Sequence, residues 1–226
     1  PAFTHREDQI SGEMSIDGRR FNCGFAGAKS SVYEGGIRVP MIAKWTNGLP
    51  VDIDINEQFV FTDWLPTLLS LVGASHIGNK PLDGYDMTSV LRGETTNFEP
   101  RRFWQWNHYS PIGITNAAIR DGSWKLVRPA LNISYATDKD QSLSERYVEK
   151  DIEYKYHPEN INEIFNWKEP ERLIPDPPNP ELYNIDSDPR EEVNLAETNP
   201  EVTRRLLIDL ESWFEEVEKE RQSLFQ

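Results

Sequence analysis

The sequence predicts a mixed α/β chain, and three observations carry that expectation. Leu65, Leu68, Leu69 and Val72 recur at helical spacing within Gln58–Val72. Two apolar runs, Asn116–Arg120 and Trp124–Arg128, flank Asp121-Gly122, the signature of an antiparallel hairpin. A stripe of Val202, Leu206, Leu210, Trp213 and Val217 comes after Asn199-Pro200, a cap with proline at the first helical position.

The bulk numbers fit a globular chain. Its 226 residues can bury a sizeable core as one large or two small domains. No apolar run is long enough to span a bilayer. Net charge is −14, which argues against a nucleic-acid partner. Residues 1–45 hold six Lys/Arg and five Asp/Glu, a net of +1, so the remainder carries −15. An anionic substrate therefore needs local positive groups, helped by salt screening over about 8–10 Å. Cys23 is the single cysteine, so an internal disulfide is excluded, and a small buried thiol is its expected role. The chain opens at Pro1 and shows no signal peptide. We read this as truncation, so the missing signal says nothing of compartment.

Residues 1–20 are polar and read as loop. Arg19 and Arg20 come next in this stretch, as a solvated pair or as a contact for a second acidic group. In Gly27–Pro40, three glycines bracket Lys29: Gly27, Gly35 and Gly36 permit close approach or positive φ. Ile37–Trp45, mostly β-branched and apolar, predicts a buried strand. A lysine presented on such a platform is a point charge suited to an anionic oxygen. Glu34 and Arg38 flank the glycine pair and are expected to brace the loop. The Gln58–Val72 helix tolerates Pro66 only in its first turn and ends at Gly73. His76 is expected at the surface. Asp83-Gly84 marks a turn, and Asp86 caps a short helix; these carboxylates are too sparse for a calcium loop.

Composition turns polar near Gly93–Pro100, which places a boundary between a first domain, 1–95, and a second, 96–226. Phe103–Trp106 reads as a strand, and Asn107-His108-Tyr109 as the loop it enters. Residues 130–180 read as a polar insertion, with a helix over Ser142–Lys155 and prolines at 175, 177, 178 and 180. Asn132-Ile133-Ser134 matches the glycosylation sequon. Glu181–Ile185 is a short strand, and Asp186–Pro189 the turn after it.

The run Gly-Ala-Lys-Ser-Ser-Val-Tyr-Glu-Gly-Gly-Ile-Arg-Val-Pro from Gly27 to Pro40 resembles the second signature of the type I, formylglycine-dependent sulfatases, the arylsulfatase-like branch of the alkaline-phosphatase superfamily. Ser30 stands where that pattern has glycine. Phe61–Leu69, Leu82–Leu91 and the block Glu181–Leu195 resemble further family segments. The resemblance implies the C-terminal portion of such an enzyme: the end of an α/β sandwich, over 1–95, then a small antiparallel-sheet subdomain with a C-terminal helix, over 96–226. It implies hydrolysis of a sulfate monoester, with Lys29 as the catalytic and sulfate-binding residue.

It also implies a formylglycine nucleophile and Ca²⁺ whose ligands lie outside this chain, in a missing N-terminal part. Cys23 is not that nucleophile, because Gly24-Phe25-Ala26-Gly27 stands after it instead of the rest of a Cys-x-Pro/Ala-x-Arg motif. Pro1-Ala2 resembles the pair that comes directly after the family's Asp-Asn-Gly metal ligands. His5 is therefore a candidate substrate contact, with a solvated loop histidine as its alternative. Loops of the second subdomain reach the active-site mouth in the family, which makes His108 a candidate substrate contact; the alternative is an edge histidine facing water. The implied substrate is a sulfated small molecule or glycan, and the implied compartment is periplasmic, secreted or lysosomal. The chain alone is expected to be inactive. A related phosphate or phosphonate ester hydrolase, or a non-catalytic sulfatase-like binding domain, are the rival readings.

Overall fold

The computed structural model describes residues 23–78, 80–94, 100–162 and 167–223. The chain divides into two compact units. One takes the segment ending at Ile37 together with Phe103–Ile119 and Ser123–Gln226; the other comprises Arg38–Arg102 with Arg120–Gly122.

The first unit is organised by a four-stranded sheet in the order β1 (Arg102–Gln105), β2 (Ala117–Asp121), β3 (Trp124–Arg128), β6 (Glu181–Asn184). Gly122 turns the β2–β3 hairpin at φ +58°, as its Asp-Gly signature requires. β3 pairs antiparallel with β6, setting Leu126 opposite Leu182 and Lys125 opposite Tyr183. Side chains alternate between two faces. Ala117, Ile119, Leu126 and Leu182 meet Leu206 and Leu210 of α5 (Pro200–Ser223) on one face. Trp213 of α5 stacks on Phe103 at 5.0 Å. The other face carries Ala118, Val127 and Tyr183, and there Val32 and Tyr33 of the glycine-bracketed loop are buried. The loop that presents Lys29 is thus fastened to the sheet by its own apolar residues.

Residues 130–180 are not a featureless insertion. They form α4 (Asp138–Tyr156), capped by Thr137, whose hydroxyl accepts from the Asp140 amide. A two-stranded antiparallel ribbon, β4 (Ser134–Tyr135) with β5 (Arg172–Leu173), brackets α4 in sequence order. The insertion is tied to the His108 loop. The Tyr109 hydroxyl bonds Ser144 of α4 at 3.0 Å, and Arg172 donates to the His108 and Ser110 carbonyls.

The second unit is built around one buried ion pair. Arg102 donates to both oxygens of Asp63 at 2.8 Å, a bidentate geometry that suits guanidinium and carboxylate. The same carboxylate accepts the Val60 and Tyr85 amides, each at 2.9 Å. The sequence pattern gives Asp63 only a place near a helix end; in the fold it joins three separate segments. A 3₁₀ turn over Phe61–Asp63 leads into α2 (Trp64–Val72), which starts later than the expected Gln58 because the Asp63 carboxylate folds back on Val60. Pro66 therefore falls in the first turn. Gly73 ends α2 at φ +67°, and Ala74 donates back to Leu69. α3 (Thr88–Leu91) starts beneath Asp86, whose carboxylate accepts the Thr88 amide at 2.9 Å.

Three sequence expectations are corrected. Ile37–Trp45 is not a buried strand: Glu34–Ile37 forms a short helix, α1, and the residues after it are irregular, with Ile42 96% exposed. A strand needs a neighbour to bond its backbone, and residues 38–94 form no strand among the described residues. The α2 stripe is likewise uncovered, with Leu65, Leu68 and Val72 exposed, while Thr67 is buried and bonds the Tyr85 carbonyl and the Met87 amide. Cys23 is exposed instead of buried. Among the described residues, no helix is long and apolar enough to cross a membrane.

Candidate functional site: the Lys29 turn

Lys29 is the second residue of a tight turn closed by the Ser31 amide donating to the Ala28 carbonyl at 3.0 Å. Ser30, at the third position, has φ +72°, and Lys29 has no positive φ. That combination is a type II turn, whose third residue is normally glycine. The departure from the family pattern thus falls on the one residue of the turn that needs glycine. We expect Ser30→Gly to stabilise the chain by about 1 kcal/mol, read as a higher denaturant midpoint with unchanged slope. A lower midpoint would contradict this reading of the turn.

The other glycines are required by crowding. A Cβ on Gly35 would lie 2.5 Å from the Gly27 carbonyl oxygen and 2.6 Å from that of Ala26. The backbone there is already bonded, since Gly35 donates to the Ala26 carbonyl at 2.7 Å. The side chain of Lys29 itself is exposed at the tip of this constrained loop.

Beneath the turn lies a buried charge cluster. The Lys125 ammonium sits 2.8 Å from Glu34 Oε1 and 2.8 Å from Glu191 Oε1. All three side chains are almost completely buried. Glu191 Oε2 accepts the Glu34 amide at 2.7 Å, so the cluster seizes the loop by both main chain and side chain. Burial pushes the Glu191 carboxyl above the usual glutamate range; Lys125 opposes that shift, and the nearby Glu34 carboxylate reinforces it. Glu34 and Arg38 are expected from the sequence to brace the loop as a pair; Arg38 is exposed, whereas Glu34 braces the loop through Lys125. A lysine on the core face of a strand, between Trp124 and Leu126, was the signal available for it.

A second clamp is Asn116, which the sequence pattern places only in a strand. Its side-chain carbonyl accepts the Val32 amide at 3.2 Å, and its amide donates to the Ser30 carbonyl at 2.8 Å and the Trp106 carbonyl at 3.0 Å.

His108 is exposed, with its ring edge-on to Trp106 at a centroid distance of 4.6 Å. Tyr109, Tyr147 and Trp167 continue the aromatic cluster, and Arg146 lies over Trp167. His5 lies outside the described residues. Among the described residues, no group of three His, Cys, Asp or Glu is placed to hold a metal ion.

Comparison with known proteins finds sulfatases among the relatives of this chain. The chain is 38% identical over 68 residues to arylsulfatase G of Rattus norvegicus, covering 30% of this chain and 13% of that protein. It is 35% identical over 103 residues to steryl-sulfatase of Mus musculus, covering 45% and 16%. An ulvan-active sulfatase of Formosa agariphila aligns at 25% identity over 191 residues, 82% of this chain and 34% of that protein. Each of these alignments pairs the chain with part of a sulfatase. A solved sulfatase structure, from work on glycosaminoglycan metabolism by Bacteroides thetaiotaomicron, shares the α/β fold with a TM-score of 0.55 at 23% identity, over 84% of this chain and 32% of that one. No family model matches. The chain spans about a third or less of these sulfatases' length.

Proposed function

We propose that the protein containing this chain hydrolyses a sulfate monoester, taking up water and releasing an alcohol and inorganic sulfate. The observation that carries this reading is the Lys29 turn: an exposed ammonium, held on a loop that is fastened at Val32, Glu34 and Ser30, in a chain whose relatives are sulfatases. In this reading Lys29 donates hydrogen bonds to a sulfuryl oxygen. Its charge then opposes the negative charge borne by the sulfuryl group as the ester bond breaks. Such a fixed donor costs no reorganisation at the moment of reaction. Formylglycine and Ca²⁺, supplied outside this chain, provide the nucleophile and further charge stabilisation. His108 is the second substrate contact. The substrate class is a sulfated carbohydrate, because Trp106 and His108 are exposed rings of the kind that stack on sugars. The sequence-based division puts Lys29 in 1–95 and His108 in 96–226, while both belong to the same compact unit of the structure.

Two measurements test the reading. The isolated chain releases no sulfate from a sulfated sugar, whereas the intact protein does. The intact protein turns over a sulfate ester faster than the matched phosphate ester. Sulfate release by the isolated chain would overturn the assignment of the nucleophile to the missing part. A preference for phosphate would shift the assignment to the phosphoester hydrolases, and inactivity of the intact protein on both esters to a binding domain.

A further inference from the structure

Asn116 stands at a junction that the sulfate reading does not use. Its amide nitrogen has two hydrogens, and each has a carbonyl: Ser30, next to Lys29, and Trp106, two residues before His108. Its side-chain oxygen takes the Val32 amide on the far side of the turn. Its backbone is committed as well, the amide donating to the Pro129 carbonyl and the carbonyl accepting the Trp106 amide at 3.1 Å. The residue is buried and holds φ +45°, a conformation that asparagine tolerates better than most non-glycine residues. Two carbonyls and one N–H fix which way the amide points.

We propose that Asn116 is the positioning residue that fixes the Lys29 turn and the His108 loop against each other, so that both meet one sulfated substrate. This rests on the sulfate-binding reading of Lys29. A side chain that only filled space would not need all three of its polar valences directed at these two segments. Asn116 lies in the bend directly before β2, and its φ of +45° goes with a side chain bonded to the Ser30 carbonyl and the Val32 amide of the turn. The Lys125 cluster anchors the loop farther on, at Glu34, and leaves the carbonyl of Ser30 to Asn116. Without Asn116, the peptide that orients Lys29 loses its bond to the sheet, while the sheet keeps its ladder.

The test is a double-mutant cycle in the intact protein, with turnover of a sulfated sugar as the readout. Asn116→Gly keeps the positive φ accessible and removes the clamp. Asn116→Asp keeps the size and the Val32 acceptor but removes both donors. Each is expected to lower kcat/KM by about 10–100-fold, since small misplacements of a positioned group cost on that order. In a Lys29→Ala background the same substitutions are expected to cost several-fold less than in wild type, because Asn116 then has only the His108 loop left to position. Equal fractional losses in both backgrounds would overturn the proposal, as would no loss in the wild-type background. If Asn116→Gly fails to fold, Asn116→Asp carries the cycle, and amide exchange in the intact protein reads the clamp directly. The Val32 amide should exchange faster in Asn116→Gly or Asn116→Ser while that of Leu126 does not; unchanged Val32 exchange would also overturn the proposal. Full activity of Lys29→Ala alone would instead sink the sulfate-binding reading, and the exchange result would still show whether Asn116 holds the loop.

Discussion

Lys125→Met is expected to destabilise the fold by about 3–5 kcal/mol at neutral pH, the range for removing one partner of a buried ion pair. The methionine fills the space, but two carboxylates, Glu34 and Glu191, lose the ammonium they share. The loss should depend on pH, and Glu191 sets its sign. Burial raises its pKa in the folded chain. Its contribution to stability is therefore present in full below the ordinary glutamate range and is lost as pH rises through the raised value. In Lys125→Met this dependence steepens, so the variant should recover stability as the pH is lowered toward the glutamate range. Adding Glu191→Gln to Lys125→Met should restore part of the loss at neutral pH, because a neutral amide replaces an uncompensated charge. Denaturant unfolding of the wild-type, single and double variants at two pH values checks all three statements. A loss of the same size at both pH values, with no gain from Glu191→Gln, would show that the cluster acts by packing alone.

The parts of this fold that could be read from the chain are those with short-range causes. The Asp121-Gly122 turn, the Gly73 stop of α2, the Asp86 bond at the start of α3 and the stripe of α5 from Val202 to Trp213 each depend on neighbours within a few residues, and each lies where the pattern put it, whereas Val217 at the end of that stripe is exposed. Lys29 likewise stands out by its glycine bracket, and the structure supplies the reason for the bracket in the crowding at Gly35. The features that escaped were partners far apart in sequence. Glu34 meets Lys125 and Glu191 across 91 and 157 residues, and Ser30 meets Asn116 across 86. No local pattern announces such pairs. Ile37–Trp45 failed for a related reason. Its apolar, β-branched composition describes a strand that something covers, but composition does not say what supplies the cover. α2 shows the same mismatch, with Leu65 and Leu68 exposed and Thr67 buried. α4 was half legible: its polarity concealed its length, and its capping threonine marks the start that was missed.

The most direct measurement of the central claim is turnover of a sulfated sugar by the intact protein with Lys29→Ala. Lys29 is exposed at the loop tip, and the bonds that hold the loop run through Val32, Glu34 and Ser30, so the substitution should leave the thermal midpoint within about 1 °C or 2 °C of wild type. Removing one fixed donor from a site where charge develops costs about 10²–10³ in kcat. A loss of that size with the fold intact is the expected result. Wild-type turnover by Lys29→Ala would contradict it and would leave the glycine-bracketed turn as a structural element of the sulfatase fold.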